Sequence, residues 1–122
     1  MKKLILIAVV SFLVTGTFAQ SEKYMASMKS NIAAIDTSFK NPANLLDLAN
    51  KFERIATAEK NQWLAYYYAA LCQVNYTYME KDKTKIDAIA DKATELINKA
   101  DALQPNNSEI SCIECMIASS HM

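Results

Sequence analysis

The chain has 122 residues with 13 basic and 13 acidic side chains, so its formal net charge at pH 7 is zero. This balance argues against a nucleic-acid partner, because such a partner requires an excess of positive charge on one face. The chain has only one glycine and two prolines, which leaves little turn chemistry for β-hairpins. The composition therefore predicts an all-helical protein.

Residues 1–19 have the features of a secretory signal peptide. Two lysines precede the apolar run LILIAVVSFLV at residues 4–14, and Thr17 and Ala19 fit the small residues that precede a cleavage site. The run is shorter than the roughly 20 apolar residues that a membrane-spanning helix needs. We therefore predict a bacterial protein without a stable membrane span that is exported to the periplasm or secreted, with Gln20 at its mature N-terminus. A buried N-terminal helix is the alternative interpretation.

Removal of this segment would leave one small domain, residues 20–122. Lys2 and Lys3 would be lost with it, leaving 11 basic against 13 acidic residues and a net charge near −2. The only glycine, Gly16, would also be lost, which strengthens the prediction of an all-helical domain.

The domain contains five amphipathic segments, in which apolar residues recur at intervals of three and four as on one face of a helix. In chain order these segments are residues 24–39, 45–56, 63–78, 86–103 and 110–117. Asn41 and Pro42 predict the start of the second helix, as an N-cap followed by proline at the first helical position. We expect a break at Asn61, a polar turn at residues 80–85 and a cap at Ser108. Such short connections predict antiparallel neighbours and hence a chain of helical hairpins.

The end of the fourth segment has a distinctive spacing of residues. Ala93, Ile97 and Ala100 are followed by Pro105, which is a pattern of alanine, bulky residue, alanine and helix-ending proline. This pattern resembles the second helix of a tetratricopeptide repeat. The residues PNNSEI at 105–110 also resemble the turn between two repeats and the start of the next one.

A weaker match to the same family lies earlier in the chain. Ala49 and Ala56 are also seven residues apart, and Asn61 stands where the repeat has its proline. From Tyr67 to Ala93 the chain is about ten residues longer than a repeat of roughly 34 residues requires, which predicts longer helices and a longer turn. The third segment would be the first helix of the middle repeat, and it fits the family pattern in two registers. The aromatic and small-residue positions are filled either by Tyr67, Ala70 and Val74 or by Tyr66, Ala69 and Ala70.

The resemblance implies an all-α solenoid of stacked antiparallel hairpins that serves as a non-catalytic scaffold for a peptide or another protein, without a cofactor. It also implies that the fifth segment is the first half of an incomplete repeat. Its apolar face could pack on the fourth helix but would lack the cover of its own second helix, and we expect either a longer natural chain or self-association through this face. The residues of this face are Ile110, Ile113, Met116 and Ile117.

The third segment is rich in aromatic residues. Three consecutive tyrosines span about 200° of a helix, so at least one ring should lie on a groove or surface. We predict a binding site at Tyr66 and Tyr68, with Gln73 as a polar companion. A thick aromatic core with hydroxyl groups that reach water is one alternative. A platform of tyrosines that binds a small ligand or a glycan is another.

Cys112 and Cys115 form a C-x-x-C motif. A thioredoxin-like site places its cysteine at a helix N-terminus after a strand, and a zinc site needs about four ligands. Neither condition fits this motif, so we expect Cys115 in the core and Cys112 as a half-buried neighbour. A local disulfide and a catalytic pair are the alternatives. His121 is the only histidine, and we predict no catalytic residues and no metal site.

Export can be tested by N-terminal sequencing of the protein from the cell envelope or medium of a bacterial host. We expect the sequence to begin at Gln20, and we expect Ala19→Leu to block cleavage because the site requires a small residue. Ala26→Leu, which lies beyond the site, is the control. An exported protein that retains Met1 would contradict the prediction.

Overall fold

The computed structural model describes residues 22–122, so the predicted signal peptide lies outside the described residues. Within this range the regular secondary structure is entirely α-helical, which confirms the predicted class. No helix of the described part is long and apolar enough to cross a membrane. The helices are α1 (residues 22–33), α2 (Ile35–Ser38), α3 (Pro42–Ala58), α4 (Trp63–Met79), α5 (Lys83–Leu103) and α6 (Ser108–Ser120).

The first predicted segment is two helices rather than one, because the chain turns at Ala34. The hydroxyl groups of Thr37 and Ser38 both donate hydrogen bonds to the Ala34 carbonyl oxygen, at 3.0 and 2.8 Å. Such local side-chain bonds compete with regular helix geometry. The spacing of apolar residues in this segment places Met25 and Phe39 on its buried side, but they are 63% and 42% exposed, so this part of the prediction is wrong.

Side-chain caps begin three of the helices. Asn41, Asp82 and Asn107 each accept a hydrogen bond from the backbone N–H two residues later, at 3.1, 3.0 and 2.9 Å. The prediction for Asn41 is confirmed, with Pro42 as the first residue of α3. The cap of α6 is Asn107 rather than Ser108, because the asparagine is the residue with extended backbone before the helix.

The connections between the long helices are short, namely residues 59–62, 80–82 and 104–107. Consecutive long helices pack against each other across these connections, α3 against α4 and α4 against α5. The longer turn expected between α4 and α5 is wrong, because the extra residues lie in helices of 17 and 21 residues. Helix α4 packs against α3, α5 and α6, and α6 packs against both α4 and α5.

The alanines with predicted packing roles lie where the helices are in contact. They are fully buried, as is the neighbouring Ile97, whereas Pro105 is exposed in the turn after α5. A methyl side chain lets two helix backbones approach closely, so larger residues at these positions would push the helices apart. The buried alanines of the predicted set are Ala49, Ala56, Ala70, Ala93 and Ala100.

Helix α6 is covered on its apolar side. Ile110, Ile113 and Ile117 are buried and belong to the same core as α4 and α5, and Met116 is partly buried against it. The expectation of an apolar face without a cover is therefore wrong. The isoleucines pack against the preceding hairpin, which covers this face without a further helix. The exposed side of α6 carries small and polar residues instead: Ser111, Glu114, Cys115 and Ala118.

Close packing at α5 can be tested with a pair of substitutions on one helix. Ala93 is fully buried, so Ala93→Met should lower the free energy of unfolding by about 1–3 kcal/mol through overpacking. The exposed Ala88 is the matched position, and Ala88→Met should change the free energy of unfolding by less than about 0.5 kcal/mol. Urea titration followed by circular dichroism measures both. Equal effects would contradict the arrangement of α5.

Candidate functional site

Helix α4 has a buried side and an opposite side that is only partly covered. Its buried residues are Ala65, Ala69, Ala70, Cys72, Gln73, Val74 and Thr77. The other side carries four apolar or aromatic residues and one asparagine at intervals of three and four, and we call this set the α4 stripe: Leu64, Tyr68, Leu71, Asn75 and Tyr78. The first four are half-buried and Tyr78 is 53% exposed. A helix in the middle of the domain thus presents a largely apolar line to the surface.

The α4 stripe lies between α3 and α6. The Tyr68 ring stacks on Phe52 of α3, with centroids 5.4 Å apart and an interplanar angle of 22°. The Tyr78 hydroxyl group donates a hydrogen bond to the Met116 carbonyl oxygen of α6 at 2.9 Å. Both rings are therefore held in place by contacts within the protein.

Tyr67 makes two further aromatic contacts next to the stripe. The Tyr67 ring meets Tyr68 and Trp63 edge-on, at centroid distances of 5.1 and 5.8 Å. Burial and then the charge of Glu109 raise the pKa of Tyr67, so its hydroxyl group is neutral at physiological pH. These edge-on contacts are the favoured geometry for aromatic pairs and add to the rigidity of the site.

The three predicted binding residues lie in three different environments. Tyr68 belongs to the α4 stripe. Tyr66 faces α5, where the Lys99 Nζ atom lies 5.8 Å from its ring centroid. Gln73 is 6% exposed on the buried side of α4, so it presents almost no surface to a partner.

Sequence reasoning missed the polar and C-terminal members of the stripe. Leu71, Asn75 and Tyr78 were not among the predicted binding residues, yet Tyr78 is 53% exposed and the other two are half-buried. Their spacing with Leu64 was available in the sequence. Periodicity alone could not identify the exposed side of α4, because apolar residues lie all round a helix that contacts three neighbours.

An apolar groove continues the stripe at its N-terminal end. It has a volume of about 570 Å³ and lies between α1 and the start of α4. Leu64 belongs to both the groove and the stripe, which makes one continuous surface. We call it the α1 groove, and its lining is Tyr24, Met25, Ala26, Met28, Lys29, Ile32, Ala33 and Leu64. Lys29 is the only charged residue of this lining, and it forms no ion pair within residues 22–122.

The exposure of the cysteines differs from the prediction. Cys112 and Cys115 are both exposed on α6, so the expected core position of Cys115 is wrong: the isoleucines occupy the buried side of that helix. Cys72 is 1% exposed, and burial raises its pKa to about 12. The described residues contain no cluster of three or more histidine, cysteine or carboxylate side chains that would hold a metal ion.

Comparison of the chain with protein-family models finds no match. Comparisons with curated proteins and with solved structures find none either. The function must therefore be inferred from the chemistry and geometry of the described residues.

The C-terminal end of α4 is held by a hydrogen-bonded carboxylate. The Tyr76 hydroxyl group donates to Glu80 Oε2, and the backbone N–H groups of Lys81 and Asp82 donate to Glu80 Oε1 at 2.9 and 3.1 Å. The Tyr76 bond and then the two backbone bonds lower the pKa of Glu80 from 4.5 to about 2. These bonds favour the charged carboxylate in the folded state.

The consequence for pH can be measured at this one residue. Because the folded pKa is depressed, the stabilising contribution of Glu80 is present above pH 4.5 and is lost as the pH falls towards about 2. Tyr76→Phe removes the hydroxyl donor and should move the pKa of Glu80 upward, as read from carboxyl ¹³C chemical shifts. Tyr78→Phe is the control, because its hydroxyl group bonds to Met116. A Glu80 pKa that Tyr76→Phe leaves unchanged would contradict the contact.

Proposed function

We propose that this protein is a non-catalytic scaffold of the bacterial cell envelope, built from tetratricopeptide-like helical hairpins, that binds a peptide segment of another protein. The observation that carries the proposal is the continuous surface formed by the α4 stripe and the α1 groove. It is largely apolar and aromatic, and it is held by contacts to α3 and α6.

Packing of the helices supports the repeat-like part of the proposal. Helix α6 packs against both α4 and α5, as the first helix of a new hairpin would pack on the one before it. The buried alanines of α3 and α5 lie where the resemblance places close helix contacts. A stack of this kind leaves one side of each first helix free to bind, and the α4 stripe is such a side.

The chemistry of the surface favours a peptide with apolar anchors. Methionine is flexible and polarizable, so Met25, which is 63% exposed, can adapt to side chains of different shape. Tyr68 and Tyr78 add large rings at little cost in conformational entropy. Lys29 lacks an ion-pair partner among the described residues, which favours a carboxylate next to the apolar anchors of the peptide.

The glycan-binding alternative has less support. Sugars require several polar groups that converge on their hydroxyl groups, together with an open aromatic face. The Tyr68 ring is instead stacked on Phe52, and the α1 groove is lined almost wholly by apolar residues. An exported location rests on the signal peptide features at residues 1–19 and is part of the same proposal.

Selection of binders from a random peptide library by the purified protein tests the proposal. We expect peptides with spaced apolar residues and an acidic residue. Met25→Ala and Tyr78→Ala should each weaken their binding about tenfold or more, the range of interface hot spots. Both residues are well exposed, so these variants should keep the fold. Titration calorimetry measures the affinities.

Leu103→Ala provides the matched control, because Leu103 is an exposed apolar residue of α5 outside the site. The affinity of this variant for the selected peptides should equal that of the parent protein. Lys29→Glu should lower the affinity for acidic peptides, and the loss should be larger at low salt than at high salt. A library without binders, or peptides that bind all four variants equally, would overturn the proposal.

A further inference from the structure

Helix α6 carries two exposed thiol groups on neighbouring turns. Cys112 and Cys115 are three residues apart, so both lie towards the same side of the helix. The rise and radius of an α-helix place Cα atoms at this spacing about 5 Å apart. Cα atoms joined by a disulfide are usually about 4.4–6.8 Å apart, so the backbone already brings the two residues within reach of each other.

We propose that Cys112 and Cys115 form a reversible dithiol–disulfide site that reacts with low-molecular-weight disulfides such as oxidised glutathione. The proposal does not depend on peptide binding. It follows from the exposure of both thiol groups and from their spacing on one helix.

The reaction proceeds by two thiol–disulfide exchanges. The thiolate of one cysteine attacks a sulfur of oxidised glutathione, which forms a mixed disulfide and releases one glutathione thiolate. The thiolate of the other cysteine then attacks the protein sulfur of that mixed disulfide, forms the Sγ–Sγ bond and releases the second glutathione. The two cysteines lose two electrons and two protons, and the two glutathione thiols receive them.

Helix geometry makes this bond reversible rather than permanent. Residues three apart on a helix have Cβ atoms about 5–6 Å apart, whereas a disulfide needs about 3.5–4.5 Å. Closing the bond therefore pulls the turn between residues 112 and 115 out of regular helix geometry. Strained and exposed disulfides are the ones that low-molecular-weight thiols reduce readily.

The surroundings favour this chemistry over two others. A zinc site needs about four ligands, and no cluster of three or more ligand side chains exists among the described residues. The third thiol, Cys72, lies in the core at 1% exposure, where burial raises its pKa to about 12. Cys72 is therefore protected in the folded protein and serves as an internal control.

The experiment exposes the reduced full-length protein to oxidised glutathione near the ordinary thiol pKa of about 8.5. We expect the intact mass to fall by two hydrogen atoms, with Cys72 open to alkylation only after unfolding. Glu114 lies between the two cysteines, so proteolysis after glutamate should leave two fragments joined until a reductant is added. An excess of reduced glutathione should restore both thiol groups.

Cys112→Ser and Cys115→Ser provide matched controls. Each should stop at a mixed disulfide with one bound glutathione, because the second exchange is impossible. A parent protein that keeps two bound glutathiones, that forms disulfide-linked dimers, or whose internal bond resists reduced glutathione would overturn the proposal. Digestion after Glu114 decides the linkage in the parent protein even where a serine variant fails to fold.

Discussion

The structure depends on close approach of α4 to three other helices at once. Ala65, Ala69 and Ala70 are fully buried on its inner side, and their methyl groups allow short distances between helix backbones. Alanine also has the highest intrinsic helix propensity, so the same residues favour the helix and its packing. Large side chains would separate the helices and open the single core that extends from α1 to α6.

The same constraint explains where the aromatic residues lie. With small residues on the inner side of α4, its tyrosines occupy the edges of the helix contacts, where Tyr66 meets Lys99 and Tyr68 meets Phe52. Both tyrosines are half-buried, so part of each side chain remains accessible. The partly accessible rings of the α4 stripe are thus a consequence of alanine-based packing, and they underlie the proposed binding surface.

Polar contacts complement the core without dominating it. Lys92 Nζ of α5 donates a hydrogen bond to Glu53 Oε1 of α3 at 2.8 Å, and this bond with Glu53 raises the pKa of Lys92. Both side chains are partly exposed, and pairs of this kind typically contribute about 0–1 kcal/mol. The stability comes from the buried apolar side chains.

The sequence by itself determined the helical class, four of the five segments, the cap at Asn41 and the seven-residue spacing of the alanines. Each follows from local rules: the 3.6-residue period, capping chemistry and residue size. The tertiary structure alone decided which sides of α4 and α6 are covered, and so separated Tyr68 from Tyr66 and Gln73, and exposed Cys115. Periodicity orders residues around one helix, whereas their exposure depends on the neighbours that the whole chain brings against it.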